Sequence, residues 1–321
     1  MINQPLVSIL INNYNYGSYL KSAIDSALRQ TYLNTEIIVV DDGSTDGSQE
    51  IIRSYGDKIK PVFKSNGGHA SALNAGFVES SGDIICFLDS DDMFLPFKVQ
   101  EIVEAFTTLK DIDWVFHPLF DVKTDDLEKG NFNPLNSLID ECESRKATYV
   151  EIDFREQIRS GQQPGFVPQT SAISFSRKIL KKILPIPEDQ KTKTYVGDTY
   201  MSMGCVLYSK GCVIDKKLSL YRLHGSNAYS NMQMDKSRET FAKVHIITGY
   251  WLRTNFPDLS RYTNTFFSKG LGCFYLVENR DARSKKFIQD YFAYLSIPEK
   301  ILVFLKSLYY FQKSFLRKTL P

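Results

Sequence analysis

Residues 83–92, DIICFLDSDD, place five consecutive apolar side chains directly before three aspartates within four positions. A short apolar run that ends in turn residues is typical of a strand buried on both faces of a sheet. Three carboxylates this close repel one another unless a cation or hydrogen-bond donors gather them, and Mg²⁺ and Mn²⁺ prefer such oxygen ligands. The stretch predicts a buried strand ending at a metal site that suits a diphosphate, with a solvated acidic turn as the alternative.

The same alternation of short apolar runs and helix-periodic segments extends back to the start of the chain. Residues 7–11 and 36–40 are predicted as strands, and residues 19–29 between them as a helix with Ser18 as its N-cap. This order favours an α/β fold with a Rossmann-like, mostly parallel central sheet and helices on both faces. Polar clusters follow the strands at their carboxyl ends, where open α/β sheets bind ligands.

Two of these clusters precede the acidic one. Asp41 and Asp42 follow the second strand, where a carboxylate can accept hydrogen bonds from a base N–H or a sugar hydroxyl, although turn chemistry also explains the pair. Asn66 and Gly67 open a loop before a helix predicted from residue 71, and backbone N–H groups there suit a phosphate or a base. His69 is expected to be an exposed loop histidine.

The regular strand–helix rhythm stops after about residue 120. A polar stretch over residues 123–145 predicts a loop-rich insertion, residues 172–175 a returning strand, and residues 197–208 a helix. From residue 234 onward the pattern is mostly helical. We expect three parts, at residues 1–120, at residues 121–230 and, as a helical C-terminal extension, at residues 231–321.

Composition narrows the classes of protein and partner. Thirty-nine Lys and Arg against thirty-seven Asp and Glu leave a net charge of +2, which gives no global field toward nucleic acid. Five scattered cysteines and a start without a basic and apolar leader fit a reducing cytoplasm. Basic and aromatic residues alternate through residues 285–318, which favours peripheral contact with the inner face of a membrane, or packing on the domain or on a second copy of the chain.

Five motifs occur in order along the chain: VSILINNYN at 7–15, SALRQTY at 26–32, VVDDGSTD at 39–46, NGG through NAG at 66–76 and FLDSDD at 87–92. Together they resemble the family 2 glycosyltransferases of the GT-A fold. The resemblance implies a nucleotide-sugar-binding half at residues 1–120, an acceptor-binding half with the catalytic base at 121–230, a divalent Mn²⁺ or Mg²⁺ cofactor, and transfer with inversion at the anomeric carbon.

Carried over by position, the resemblance implies that Asn12 and Tyr14 line the nucleoside pocket. Asp42 would accept a hydrogen bond from the base, supported by Asp41. Where the family more often has Pro-Thr before the tyrosine, this chain has Asn12-Asn13.

The resemblance also assigns the acidic cluster. Asp89 would contact the ribose or the metal, and Asp91 would be the direct metal ligand, while the loop at Asn66 and Gly67 would contact the donor. Hard carboxylate ligands of this kind fit Mn²⁺ or Mg²⁺.

Two later motifs complete the expected site. Asp198, in Gly197-Asp198-Thr199, resembles the family's second acidic motif, which makes it the candidate general base, and an N-terminal cap is the alternative. Arg222 and His224 resemble the family's Arg-x-His segment, where Arg would neutralise the leaving diphosphate and His would complete the metal shell, or both would lie in a polar loop.

The predicted function is an inverting transferase that moves a sugar from a nucleotide diphosphate, UDP by preference, to a saccharide or lipid-linked saccharide acceptor in surface polysaccharide biosynthesis. A non-catalytic carbohydrate- or nucleotide-binding relative of the fold is the alternative. A sugar nucleotidylyltransferase is disfavoured, because its glycine-rich loop with a following Arg and Lys is missing after the first strand.

Overall fold

The computed structural model describes residues 4–128, 139–140, 145–162, 164–165, 168–188, 196–225, 227, 234–278 and 280–319. Most of the insertion expected over residues 123–145 lies outside them. The strands are β1 Val7–Asn13, β2 Thr35–Asp41, β3 Lys60–Phe63, β4 Ile84–Asp89, β5 Met93–Phe94, β6 Trp114–Phe116, β7 Leu119–Lys123, β8 Tyr149–Ile152, β9 Ile173–Ser176, β10 Gly211–Ile214 and β11 Ser219–Leu223.

Helices follow most of these strands. They are α1 Gly17–Leu28, α2 Ser48–Ser54, α3 His69–Glu79, α4 Lys98–Thr108, α5 Thr124–Glu128, α6 Arg155–Arg159, α7 Arg177–Ile183, α8 Gly197–Tyr208, α9 Met234–Asn255, α10 Ser260–Phe274, α11 Ala282–Tyr294 and α12 Ile297–Thr319, with short 3₁₀ turns at Gly56–Lys58, Thr170–Ala172 and Pro257–Leu259. The helix predicted for residues 197–208 and the helical region from residue 234 are confirmed.

The central sheet has eight strands in the order β3-β2-β1-β4-β9-β6-β10-β8. Strands β3, β2, β1 and β4 pair in parallel, as do β6 and β10, while β9 runs antiparallel between β4 and β6. The predicted mostly parallel α/β sheet is confirmed. A second sheet, β5-β11-β7, pairs Met93 with Leu220 and so brings the end of β11 to the segment that follows β4.

Side chains of β1 alternate between two apolar layers. Val7, Ile9 and Ile11 are fully buried in a cluster that includes Leu20 and Ile24 of α1. The other face of β1 meets α3, where a Cβ added to a glycine, Gly76, would lie 3.4 Å from a methyl group of Leu10. Helices therefore cover both faces of the sheet, as its all-apolar strands require.

Two details of the predicted helices are wrong. Helix α1 begins at Gly17 with Tyr16 at the N-cap, and Ser18 does not cap it, because the Asp46 carboxylate of a neighbouring loop accepts the Gly17 N–H at 2.9 Å. Helix α3 begins at His69 instead of residue 71, directly after Gly68 in the left-handed region at φ 89°. In both places a tertiary contact or a loop conformation sets the boundary.

Contacts divide the chain into two compact units. The first comprises Met1–Asp153, Val167–Lys193 and Met201–His224 and holds the two sheets. The second comprises Phe154–Phe166, Thr194–Tyr200 and Gly225–Pro321 and is helical, with α10 packed against α9 and α12. The three-part division at residues 120 and 230 stays a prediction. Within the described part of the chain, no helix combines the length and the apolar character needed to cross a bilayer.

Candidate active site

The sheet register gathers the predicted site at the carboxyl ends of β1, β2 and β4. Asn12 lies beside Asp89 in the β1–β4 pairing, and Asn13 lies beside Asp41 in the β1–β2 pairing. Each amide then donates to its neighbour: Asn12 Nδ2 reaches Asp89 Oδ1 at 3.0 Å, and Asn13 Nδ2 reaches Asp41 Oδ2 at 3.0 Å. The two asparagines thus tie the central strand to both acidic strand ends.

Asp41 holds the turn after β2 together. Its carboxylate is fully buried and accepts hydrogen bonds from the Ser44 N–H at 2.9 Å and from Gln49 Nε2 at 3.2 Å, as well as from Asn13. Each of these contacts is made within the protein, and the role of Asp41 in supporting Asp42 stays a prediction.

Asp42 organises the glycine loop. It is 3% exposed and accepts hydrogen bonds from Lys64 Nζ at 2.6 Å, the Gly67 N–H at 2.9 Å and the Gly68 N–H at 2.7 Å. A Cβ on the left-handed Gly43 would lie 2.7 Å from the Asn66 nitrogen, so the turn and the loop meet backbone to backbone. The contact between Asp42 and a base stays a prediction.

Three amide oxygens at this edge are buried without a hydrogen-bond partner among the described residues. They belong to Asn12, Asn13 and Asn66. Buried acceptors are normally satisfied in a complete complex, and a nucleobase or ribose offers N–H and O–H donors. The Asn12 and Asn13 orientations are well defined, because each Nδ2 faces a carboxylate that can only accept.

The acidic cluster contains one carboxyl with a structural role. One ligand atom each from Asp89, Asp91 and Asp92 lies within 4.8 Å of the others. Asp92 is 1% exposed, and it accepts the Ser171 hydroxyl at 2.6 Å and the Arg222 backbone N–H at 3.0 Å. Burial first, and then the charges of Asp91 and Asp89, raise the pKa of Asp92 well above its ordinary value.

Asp91 faces the late Arg-x-His motif. His224 Nε2 lies 3.0 Å from Asp91 Oδ2, and Arg222 Nε donates to the Asp91 carbonyl oxygen at 2.9 Å. The Tyr19 ring stacks on His224 at 4.7 Å between centroids and lies 5.1 Å from the Arg222 guanidinium. Pairing of β11 with β5 therefore brings a histidine, an arginine and an aspartate from distant segments to one place.

The donor set fits a divalent cation. The Asp89 and Asp91 side chains are 30% and 16% exposed, so both retain an accessible surface, whereas the oxygens of Asp92 are occupied by Ser171 and Arg222. Two carboxylates with an imidazole suit Mn²⁺, and the carboxylates alone suit Mg²⁺. Asp89, Asp91 and His224 are the residues that could hold such an ion.

Sequence reasoning misplaced one residue and missed two others. His69 is not an exposed loop histidine: its side chain is 7% exposed, and Nε2 lies 4.0 Å from Asp89 Oδ1. Ser171 accepts the Asp89 N–H at 3.1 Å while donating to Asp92. Lys64 pairs with Asp42. The one sequence signal for His69 and Lys64 is that each lies next to a polar motif. No sequence signal indicates Ser171.

The remaining predicted residues are Tyr14 and Asp198. Tyr14 follows β1 and is 41% exposed. Asp198 belongs to the second compact unit, in the first turn of α8, where its carboxylate accepts the Thr199 N–H at 2.6 Å. A carboxylate there is stabilised by the helix N-terminus, and the role of Asp198 as a base stays a prediction.

Comparison with known proteins relates this chain to a family of enzymes. Residues 8–184 match the family model for glycosyl transferase family 2. An uncharacterized glycosyltransferase of Nostoc sp. (strain PCC 7120) is 36% identical over 230 residues, which cover 69% of this chain and 66% of that protein. One from Rickettsia prowazekii is 43% identical over 158 residues, or 44% of this chain and 50% of that protein. The matches thus span between half and two thirds of these relatives.

The fold has a counterpart among solved structures. The crystal structure of S. aureus TarS 1–349 in complex with UDP-GlcNAc is similar at a TM-score of 0.62 and 16% identity, and the match covers 98% of this chain and 92% of that one. This likeness establishes the GT-A fold, with its mostly parallel sheet. Because the family model also matches more than half of the residues, the chain belongs to glycosyltransferase family 2.

Proposed function

We propose that this protein is an inverting, metal-dependent glycosyltransferase that moves a sugar from a UDP-linked donor to a saccharide or lipid-linked saccharide acceptor in surface polysaccharide biosynthesis. The observation that carries the proposal is the meeting of Asp89, Asp91 and His224 at the sheet edge that also presents Asn12 and Asn66. A cation site beside unsatisfied polar acceptors suits a nucleotide diphosphate.

The unpartnered amide oxygens support a nucleoside at this edge. Asn12 and Asn66 each offer a buried acceptor, and a uracil ring N–H or a ribose hydroxyl can supply the missing donor. TarS was solved with UDP-GlcNAc, which makes a uridine donor the first to test. Asp42 would act here by fixing the glycine loop or by accepting from the base.

Asp89, Asp91 and His224 would hold Mn²⁺ or Mg²⁺. The ion would neutralise charge that develops on the diphosphate as the bond to the sugar breaks. Arg222, through its Nε–H, holds the Asp91 backbone in place. An acceptor hydroxyl oxygen would form the new bond to the anomeric carbon, the bond to the diphosphate oxygen would break, and the hydroxyl proton would pass to the Asp198 carboxylate.

A thermal-shift panel tests the donor site directly. UDP, GDP, TDP and CMP are each added with and without Mn²⁺ to the full chain and to an Asp91→Asn variant. Because a ligand that binds only the folded state stabilises it, we expect one nucleotide to raise the melting temperature by several degrees in a metal-dependent way. The variant should lose the metal-dependent part. No shift with any nucleotide would contradict the proposal and favour the non-catalytic alternative.

A further inference from the structure

The last described helix, α12, presents a continuous apolar face to solvent. Nine of its large apolar side chains are between 41 and 74% exposed. Ile297, Ile301, Phe304, Leu308 and Phe315 follow one another at intervals of three, four or seven residues, which places them on one line along a helix about 34 Å long. Soluble proteins seldom expose a contiguous apolar patch of this kind without a partner.

The side of α12 opposite the nine exposed apolar residues as a group is fixed to the protein. Val303 is fully buried and Ser307 is 3% exposed. The carbonyl oxygen of Val303 accepts the Ser268 hydroxyl of α10 at 3.3 Å, and a Cβ on Gly272 of α10 would lie 2.8 Å from the Ser307 carbonyl oxygen. The helix is therefore held close against α10 by one face, while its apolar face stays uncovered by the described residues.

The charged residues of α12 are mostly basic. By sequence, α12 carries five basic residues and one acidic residue, Glu299. Glu299 forms an ion pair with Arg253 at 2.9 Å, which neutralises its charge. Lys300 and Lys313 are exposed and lie at the two edges of the face that the nine exposed apolar side chains form together. An apolar face flanked by lysines complements a surface that is apolar inside and anionic outside.

We propose that the exposed apolar face of α12, which includes Ile297, Ile301, Phe304, Leu308 and Phe315, binds the surface of an anionic lipid bilayer. The apolar side chains enter the acyl boundary, and Lys300 and Lys313 contact the headgroups. A second copy of the chain is a poorer partner, because a two-fold contact through this face would bring two sets of basic residues together. This inference is independent of the proposed transfer reaction.

Vesicle flotation of the full chain tests the proposal. The wild-type protein should float with phosphatidylcholine vesicles that contain about one third phosphatidylglycerol, and much less with pure phosphatidylcholine. Phe304→Ser with Leu308→Ser should lower the partition coefficient on the order of a hundredfold. Both side chains are exposed, so the fold should survive. Leu33→Ser with Val78→Ser is the matched control, since these residues are 89% and 77% exposed outside α12.

Two further measurements separate the outcomes. Lys300→Gln with Lys313→Gln should reduce the preference for anionic vesicles, and about 0.5 M salt should do the same in the wild-type protein. Equal flotation of the wild-type protein and the Phe304/Leu308 variant would overturn the proposal. So would a wild-type dimer in sedimentation velocity that this variant dissociates, combined with no flotation. The nucleotide-induced thermal shift should be the same in all these variants, which keeps this test separate from that of the donor site.

Discussion

The aspartates of the site differ in how many protein donors reach each carboxylate. Asp41 and Asp42 each accept three hydrogen bonds and are almost fully buried. Asp92 accepts two and is 1% exposed. Asp89 and Asp91 keep an exposed fraction of 30% and 16%. The carboxylates with two or three protein donors hold loops in place, and Asp89 and Asp91 keep surface that a ligand could reach.

Removing the Ser171 hydroxyl should destabilise the acidic cluster. Ser171→Ala leaves one oxygen of buried Asp92 without its donor and the Asp89 N–H without its acceptor. We expect a loss of about 1–3 kcal/mol in the free energy of unfolding, measured by urea denaturation. Ser202→Ala is the control: Ser202 is also fully buried, but its hydroxyl has no partner among the described residues, so this change should cost little. Equal losses in both variants would contradict the role of Ser171.

A buried lysine outside the site should make stability depend on pH. Lys98 is fully buried, with Nζ 3.5 Å from the centre of the Phe94 ring, and burial lowers its pKa from 10.5 to about 8. Between these pH values the unfolded chain binds more protons than the folded one, so the free energy of unfolding rises with pH across the window. Below it, the full cost of burying the charge is present.

Lys98→Met should therefore raise the free energy of unfolding at neutral pH, by up to about 3 kcal/mol, and flatten its rise with pH. Denaturant titrations at several pH values measure both effects. Lys216→Met is the matched control, because Lys216 is 6% exposed and pairs with Glu101 at 2.8 Å. That variant should be destabilised, since it leaves a carboxylate unpaired. A destabilised Lys98→Met with an unchanged pH slope would refute the prediction.

At the scale of elements, the local sequence pattern predicted whether a segment is a strand or a helix better than it predicted the first and last residues. The strands around residues 7–11, 36–40 and 83–88 were predictable, because an apolar run between turn residues has few other stable placements. Their ends were not: β1 continues to Asn13, since pairing with Asp41 and Asp89 carries it onward. The cap of α1 comes from Asp46 in another segment. Such boundaries depend on contacts that no local window contains.

One strand pairing depends on the absence of a side chain. Gly211 of β10 lies opposite Trp114 of β6, and a Cβ there would be 1.9 Å from the indole ring. The ring is fully buried, donates to the Ser209 carbonyl oxygen at 3.1 Å and stacks on Phe116, so it cannot move aside cheaply. Gly211→Ala should lower the free energy of unfolding by about 2–3 kcal/mol.

Thermal and urea unfolding of Gly211→Ala, beside a neutral glycine, measure this effect. Gly47→Ala is suitable, because a Cβ at Gly47 meets no atom within 4 Å and its φ of −74° is open to any residue. The two variants share the same chemical change and differ only in the space around it. A Gly211→Ala protein as stable as Gly47→Ala would show that β6 and β10 do not require this close approach.

At the scale of the whole molecule, the site joins residues that are far apart in the sequence. His224 and Arg222 reach Asp91 across 133 and 131 positions. Periodicity along the chain predicted β4 and its aspartates, but it carries no information about which later strand pairs with β5. Only the resemblance of Arg222 and His224 to a family motif linked them to the metal site. Ser171 had no such motif, and its role emerged only from the position of the turn before β9.

The two compact units contain candidate residues with different expected roles, and kinetics can test these roles. The candidate donor and metal residues belong to the first unit, and Asp198 belongs to the second. If Asp198 takes the acceptor proton, Asp198→Asn should lower kcat by about 10²–10⁴-fold and leave the Kd for the nucleotide with Mn²⁺ nearly unchanged. Asp91→Asn should abolish turnover and also weaken metal-dependent nucleotide binding, because it removes a ligand of the ion.

Calorimetric titration of nucleotide, with and without Mn²⁺, separates these roles from loss of fold. Thr199→Ala is a control for the start of α8, since it keeps the Asp198 carboxylate and its bond from the residue 199 N–H. It should retain most of the activity. A larger loss of nucleotide affinity in Asp198→Asn than in Asp91→Asn would reverse the assignment, because Asp198 would then belong to donor binding and the proton would need another acceptor.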